Sequence, residues 1–386
     1  MTIARRIPAF IGVVLAFMML AGCTTGRNPE IGPPVEKLDP VAQYASDRLS
    51  TMSLRHKVMS MLMVHVPGVS PAARLGPDLE GAGGFIVMGD NIPSSLSQLR
   101  TDTAALSDEA GLPVLVATDQ EGGIVRRVPT DDAASAYELR SQSPSASFEA
   151  FAQRGALLKS VGVSVNFGIV ADIASDTSSF IYDRSFGATG RDAGARVAQA
   201  VQGESMVLST LKHFPGHAAG DSHSSIPTTS LSFADWQSTH AVPFEEGIAA
   251  GAPLVMFGHL TFTAVDSEPA TFSSRWHEIL REDLGFDGIV ITDDMGMLER
   301  SGVAEYADQT ANAVRAIEAG NTMLLYVGAV DTAAIVAAVE QAIDDGTLDE
   351  AVIDDAALRL LELRREISGE TGRFVRCLAE CAAIVG

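Results

Sequence analysis

Residues 288–297 read GIVITDDMGM. The run Gly288–Thr292 is apolar or β-branched throughout, with no alternation, and it leads directly into a pair of acids. A strand without a polar face is buried on both sides, as in a parallel sheet covered by helices. Working outward, the same pattern recurs at Met59–His65, Gly84–Met88, Pro113–Thr118, Val163–Ile169, Val207–Lys212, Pro253–Gly258 and Met323–Val327. Stretches with helical spacing lie between them, among them Ser95–Glu109, Arg191–Glu204, Phe233–Ala250, Val303–Ala319 and Thr332–Asp345. Eight such strands alternating with helices over about 330 residues predict an α/β fold, a TIM-like (β/α)8 barrel forming a single catalytic domain. A doubly wound open sheet is the runner-up. Its dinucleotide-binding form loses support because no GxGxxG follows an early strand.

Composition narrows the partners. The chain has 386 residues, 27 Lys+Arg against 49 Asp+Glu, and a formal net charge of −22. Nucleic acid is excluded as a partner, because binding would have to overcome phosphate repulsion. A hydrophobic content of 46% excludes disorder as the dominant state.

The first residues do not belong to the fold. Arg5 and Arg6 precede an apolar run from Ile7 to Met19, and Leu20-Ala21-Gly22-Cys23 matches the bacterial lipobox. The run is shorter than the roughly 20 residues that span a bilayer. Residues 1–22 therefore read as a lipoprotein signal peptide, with Cys23 as the lipidation site and a membrane anchor through its lipid. Cleavage removes two arginines and no acid, taking the charge from −22 to −24. Residues 23–40, rich in Pro, Gly and Thr, suit a tether. The barrel is expected over 41–370, with a C-terminal tail at 371–386. Cys377 and Cys381 read as packed or free thiols, and no CxxC pair suggests zinc.

Polar residues collect at the C-terminal strand ends, where barrels of this kind carry their chemistry. The third strand ends in Thr118-Asp119-Gln120-Glu121-Gly122-Gly123, and the segment after the fourth holds Tyr182-Asp183-Arg184-Ser185-Phe186-Gly187. The fifth runs into Lys212-His213-Phe214-Pro215-Gly216-His217, then Asp221-Ser222-His223. His259 ends the sixth, and Thr292-Asp293-Asp294-Met295-Gly296-Met297 the seventh. Burying a charge costs several kcal/mol unless it is paired, so this clustering points to a binding cavity. Simpler readings exist for single residues. Asp119 or Asp293 suits a helix cap, and Lys212 suits either a Schiff-base nucleophile or a donor to substrate hydroxyls. His213 and His217 have the spacing of a helical metal pair, but Pro215-Gly216 between them breaks the helix that such a pair needs.

These motifs, taken in order, resemble the glycoside hydrolase family 3 β-N-acetylglucosaminidases. The resemblance rests on KHFPGH at 212–217 with DSH at 221–223, DQEGG at 119–123 with Arg127, RSFG at 184–187 and TDDM at 292–295, and it spans roughly residues 50–330. It implies a retaining exo-glycosidase that removes terminal β-linked N-acetylglucosamine (GlcNAc) from peptidoglycan fragments, with N-acetylmuramic acid on the leaving side. By the family's pattern Asp293 is the nucleophile, and Asp119, Arg127, Lys212, His213 and Arg184 hold the terminal sugar. Asp221 and His223 match an Asp-His dyad acting as general acid/base. The chemistry suits those residue types: retention usually needs two carboxyl groups about 5–5.5 Å apart, and here an imidazole, titrating near pH 6.5, replaces one of them. No cofactor is implied. The implied partners are GlcNAc-containing muropeptides, and a lipobox on such a chain resembles the cell-wall lipoproteins of high-GC Gram-positive bacteria.

Three departures from the family pattern stand out: Ala218 after the motif's second His, only Ala218-Ala219-Gly220 before Asp221, and Asn321-Thr322 where Ala-Asp is usual. The alternatives are a muropeptide-binding lipoprotein without activity and a β-glucosidase of the same family. The Asp-Ser-His segment argues against the latter.

Overall fold

Eight parallel strands close on themselves in the computed structural model, which describes residues 39–107, 109–217 and 220–369. They are β1 (Leu62–Val64), β2 (Gly84–Ile86), β3 (Leu115–Thr118), β4 (Val165–Val170), β5 (Leu208–Phe214), β6 (Leu254–Phe257), β7 (Ile289–Asp294) and β8 (Met323–Tyr326). Leu62 pairs with Leu324 and Met63 with Gly84, so β1 joins both β8 and β2 and seals the barrel. Helices surround it. All eight expected strands form, and nearly every strand residue is buried, as expected for runs enclosed between a lumen and a helical layer.

Several boundaries differ from the expectation. Met59 and Ser60 end the helix Leu54–Ser60, so β1 begins only at Leu62. The stretch 233–250 is two helices, Phe233–Ser238 and Ala241–Ala249. Pro243 explains the break, because a residue without an N–H is tolerated only in a helix's first turn. The stretch 303–319 holds a short 3₁₀ turn and then the helix Gln309–Ala319, started by Asp308, whose carboxylate accepts the N–H groups of Thr310 and Ala311. The helix at 95–109 ends at Ala104. A two-strand ribbon, Thr228–Thr229 with Thr261–Phe262, was not expected.

β5 and β7 run two residues past their expected ends, and both carry a register shift there. Leu211 pairs with Val255 and Phe214 with Phe257, so β5 has one extra residue against β6. Ile291 and Asp294 pair with Met323 and Leu325, so β7 has one extra residue against β8. Adjacent residues of a regular strand point to opposite faces. A bulge re-aims one of them, and so Lys212 and His213, like Asp293 and Asp294, reach the same cavity.

Helices Pro40–Leu49 and Glu350–Ile367 pack at the opposite, N-terminal face of the barrel. There Arg364 donates to the carbonyls of Leu112 and Pro113, just ahead of β3.

Candidate active site

The polar strand ends converge on one cavity of about 420 Å³. Asp119, Arg127, Arg184, Lys212, His213, His223 and Asp293 all line it. Asp221 does not; it stands behind His223 and lines an adjoining hollow. Cys23, Cys377, Cys381 and the Ala218-Ala219 departure lie outside the described residues. A larger hollow of about 650 Å³ opens on the N-terminal face. There Arg48 pairs with Glu109 and Arg364 donates to backbone carbonyls, and none of the polar residues at the C-terminal strand ends lines it.

The wall formed by β3 and β5 is an ion cluster. Lys212 Nζ lies 3.0 Å from Asp119 and 2.7 Å from Glu121. Arg184 donates twice to Glu121, at 2.9 and 2.7 Å, and its guanidinium lies over the Phe180 ring. Burial alone pushes the Glu121 carboxyl up, but Lys212 and Arg184 outweigh it and hold the pKa at about 2. Glu121 is therefore a fixed anion with both oxygens occupied, poorly suited to donate a proton. Burial pulls the Lys212 ammonium down, and Glu121 and Asp119 reverse that, so it stays charged.

Local geometry explains the DQEGG turn. Glu121 N–H donates to Val125 O at 3.0 Å, closing a tight loop over Gly122 and Gly123, at φ +85° and +60°. A Cβ on Gly122 would stand 2.4 Å from the Arg154 guanidinium. Gln120 braces the loop from beneath: its Oε1 accepts the N–H groups of Arg127 and Val128, returning Arg127 to within 3.2 Å of Asp119. Asn166 on β4 holds both the N–H and the C=O of Gln120 and also donates to buried Glu204 at 2.6 Å. Burial raises Glu204 to about 8. Sequence reading quoted Gln120 within DQEGG without giving it a role, and singled out neither Asn166 nor Glu204.

It also missed Asp172. That carboxylate accepts His213 Nδ1 at 2.7 Å and the N–H groups of His213 and His217. His213 Nδ1 is thereby committed, leaving Nε2 for the cavity. His217 is buried, and burial lowers it to about 4. Asp172 sits two residues beyond β4, where the strand-end rule points.

The two acids on β7 have different environments. Asp294 is occupied: it accepts from Gly296 N–H, Val327 N–H and Arg300, while its own carbonyl accepts from His259. Among the described residues Asp293 accepts only the Asp294 N–H, at 2.8 Å. Burial pushes the Asp293 carboxyl up, but His213, His259, the Asp294 N–H and Lys212 more than offset it, so the group stays anionic. At the mouth, exposed His223 pairs through Nδ1 with Asp221 at 2.8 Å and meets the Phe180 ring edge-on at 5.0 Å. Among the described residues no group of three or more His, Cys, Asp and Glu side chains is arranged to hold a metal ion.

Residues 53–363 match the glycosyl hydrolase family 3 N-terminal domain. A β-hexosaminidase of Nitrosomonas eutropha is 30% identical over 323 residues, covering 78% of this chain and 89% of its own. Among solved structures, M tuberculosis LpqI aligns with a TM-score of 0.74 at 27% identity, covering 82% of this chain and 95% of that one. A family 3 β-N-acetylglucosaminidase from Paenibacillus sp. aligns at 0.76 and 29% identity, covering 87% of this chain and 68% of that one.

Proposed function

Because this chain belongs to glycosyl hydrolase family 3 and is a glycoside hydrolase of the β-N-acetylhexosaminidase type, we propose that it releases terminal GlcNAc from peptidoglycan fragments with retention. The observation that carries the reading is one cavity holding an anionic Asp293 with one oxygen free of hydrogen-bond donors among the described residues, a buried cation cluster and a mouth imidazole. Asp119, Arg127, Arg184, Lys212 and His213 hold the sugar hydroxyls by charge-assisted hydrogen bonds. Asp293 attacks the anomeric carbon as the bond to the leaving oxygen breaks, and His223 gives that oxygen a proton through Nε2. Asp221 orients the ring. Neutral His223 then takes a proton from water, which attacks the same carbon and frees Asp293. The acid in this scheme is His223 rather than Glu121, because Glu121 has no proton to give.

The lipobox supports an outward-facing protein anchored by lipid at Cys23, with residues 1–22 removed, 23–40 as tether, 41–370 as the catalytic domain and 371–386 as tail. The test is mass spectrometry of products from purified muropeptides, together with peptide mapping after a 2-deoxy-2-fluoro glycoside inactivator. Free GlcNAc and a label on Asp293 are expected. No GlcNAc release sinks the substrate assignment, and a label on Asp294 sinks the nucleophile.

A further inference from the structure

The cavity has a closed end and an open one. Lys212 and Glu121 are 2% exposed and Arg184 8%, whereas the side chains of Arg300 and His223 are 53% and 59% exposed. In an exo-acting enzyme the terminal sugar fills the closed end, so the leaving group passes His223 and lies against the mouth. Ile124, 71% exposed, gives that mouth apolar surface.

Arg300, though half exposed, is tethered at the mouth. Its Nη2 donates to Asp294 at 2.7 Å, and Asp294 is itself fixed by the N–H groups of Gly296 and Val327. A Cβ at Gly296 would stand 2.8 Å from Arg300 Nη1, so the guanidinium lies close along the backbone of this wall. The other N–H groups of Arg300 have no partner among the described residues, and the residue lines the cavity. A guanidinium anchored by one edge presents its second edge as a planar fork, which matches a carboxylate. The placement is notable on a chain of net charge −22, whose overall field disfavours anions.

We propose that Arg300 is the carboxylate-binding group of a leaving-side subsite, so that the preferred leaving group is a sugar bearing a carboxylate. This deepens the reading above and rests on its exo-glycosidase part. The contact forms when substrate binds, so its effect appears mainly in KM.

The test uses two substrate pairs on wild type, Arg300→Gln and Arg300→Lys. One pair is GlcNAc linked to N-acetylmuramic acid, with its carboxylate intact or reduced to the alcohol. The other is GlcNAc linked to glucuronic acid or to glucose. Wild type is expected to favour the acid member of each pair by about 10-fold or more in kcat/KM, the scale of one charge-assisted hydrogen bond. Arg300→Gln should bring both ratios close to one through KM, and Arg300→Lys should restore part of them. Equal losses on acid and neutral members would mean that Arg300 only braces Asp294, which overturns the proposal. Absence of any acid preference in wild type overturns it as well. Preference for the glucuronic acid disaccharide with no cleavage of the muramic acid one leaves Arg300 standing and removes the peptidoglycan source.

Discussion

Glu121→Gln removes one charge from a cluster that depends on it and leaves its volume in place. Glu121 is held at about 2 against an ordinary value of 4.5. That gap corresponds to stability on the order of 3 kcal/mol. Because the folded pKa is depressed, this stability is fully present above pH 4.5 and lost as pH falls toward 2. A separate route gives a similar figure, since removing one partner of a buried pair costs about 3–5 kcal/mol. The glutamine variant should therefore melt about 5 °C lower at pH 7, with the difference narrowing below pH 4.5. Lys212 would keep only Asp119 against the pull of burial, so its pKa falls and an alkaline limb of kcat/KM moves toward neutrality. Calorimetry at pH 7 and pH 4, with nitrophenyl N-acetylglucosaminide kinetics from pH 5 to 10, reads both effects. A variant within 1 kcal/mol of wild type with an unmoved alkaline limb refutes the reasoning. A loss confined to poor leaving groups would instead make Glu121 the acid.

Other substitutions test the remaining parts. His223→Ala should lower turnover of muropeptides at least 100-fold more than that of activated aryl glycosides, which need no proton; equal losses in a two-substrate assay would leave His223 only shaping the mouth. Glu204, raised to about 8 by burial, contributes stability that is full below pH 4.5 and lost as pH rises through 8. Glu204→Gln should flatten the fall in melting temperature between pH 5 and 8, and an unchanged fall in a calorimetric series counts against a neutral Glu204. Asp294→Asn should lose both stability and activity in melting and turnover assays, because its carboxylate holds the Gly296 and Val327 N–H groups as well as Arg300, whereas Asp293→Asn should keep its melting temperature and lose nearly all turnover. Cys23→Ala should abolish incorporation of labelled fatty acid in cells, and continued labelling would exclude the lipobox cysteine.

Much of the barrel could be read from the chain because its signal is local. An apolar run of the Gly288–Thr292 kind states its own burial, and seven others repeat it. Helix boundaries were less legible. The break near Pro243 and the start at Asp308 depend on single residues within stretches of unchanged apolar spacing. The cavity's charged wall was legible as a list of residues but not as pairings. Nothing in DQEGG says that Asp119 and Glu121 share Lys212 while Glu121 alone takes Arg184, since those partners are 63 and more positions apart in the chain. Asn166 and Glu204 were invisible for a further reason. They act from inside the fold on the backbone of Gln120, and a buried amide in a strand has no sequence signature.

The adjacent acids on β7 show what the structure adds. By alternation alone, either Asp293 or Asp294 faces the lumen, and only a family resemblance chose between them. The bulge against β8 makes the question one of engagement, because both carboxylates reach the cavity. A nucleophile needs an ionised oxygen free of strong donors, since each donor lowers the energy of the lone pair that must attack. Asp294 accepts two backbone N–H groups and a guanidinium. Asp293 accepts one backbone N–H among the described residues and is kept anionic by that N–H and by its neighbours His213, His259 and Lys212. The same division accounts for the pair as a unit: Asp294 ties β7 to Val327 beyond β8 and holds Arg300 in the mouth, which leaves Asp293 free to react.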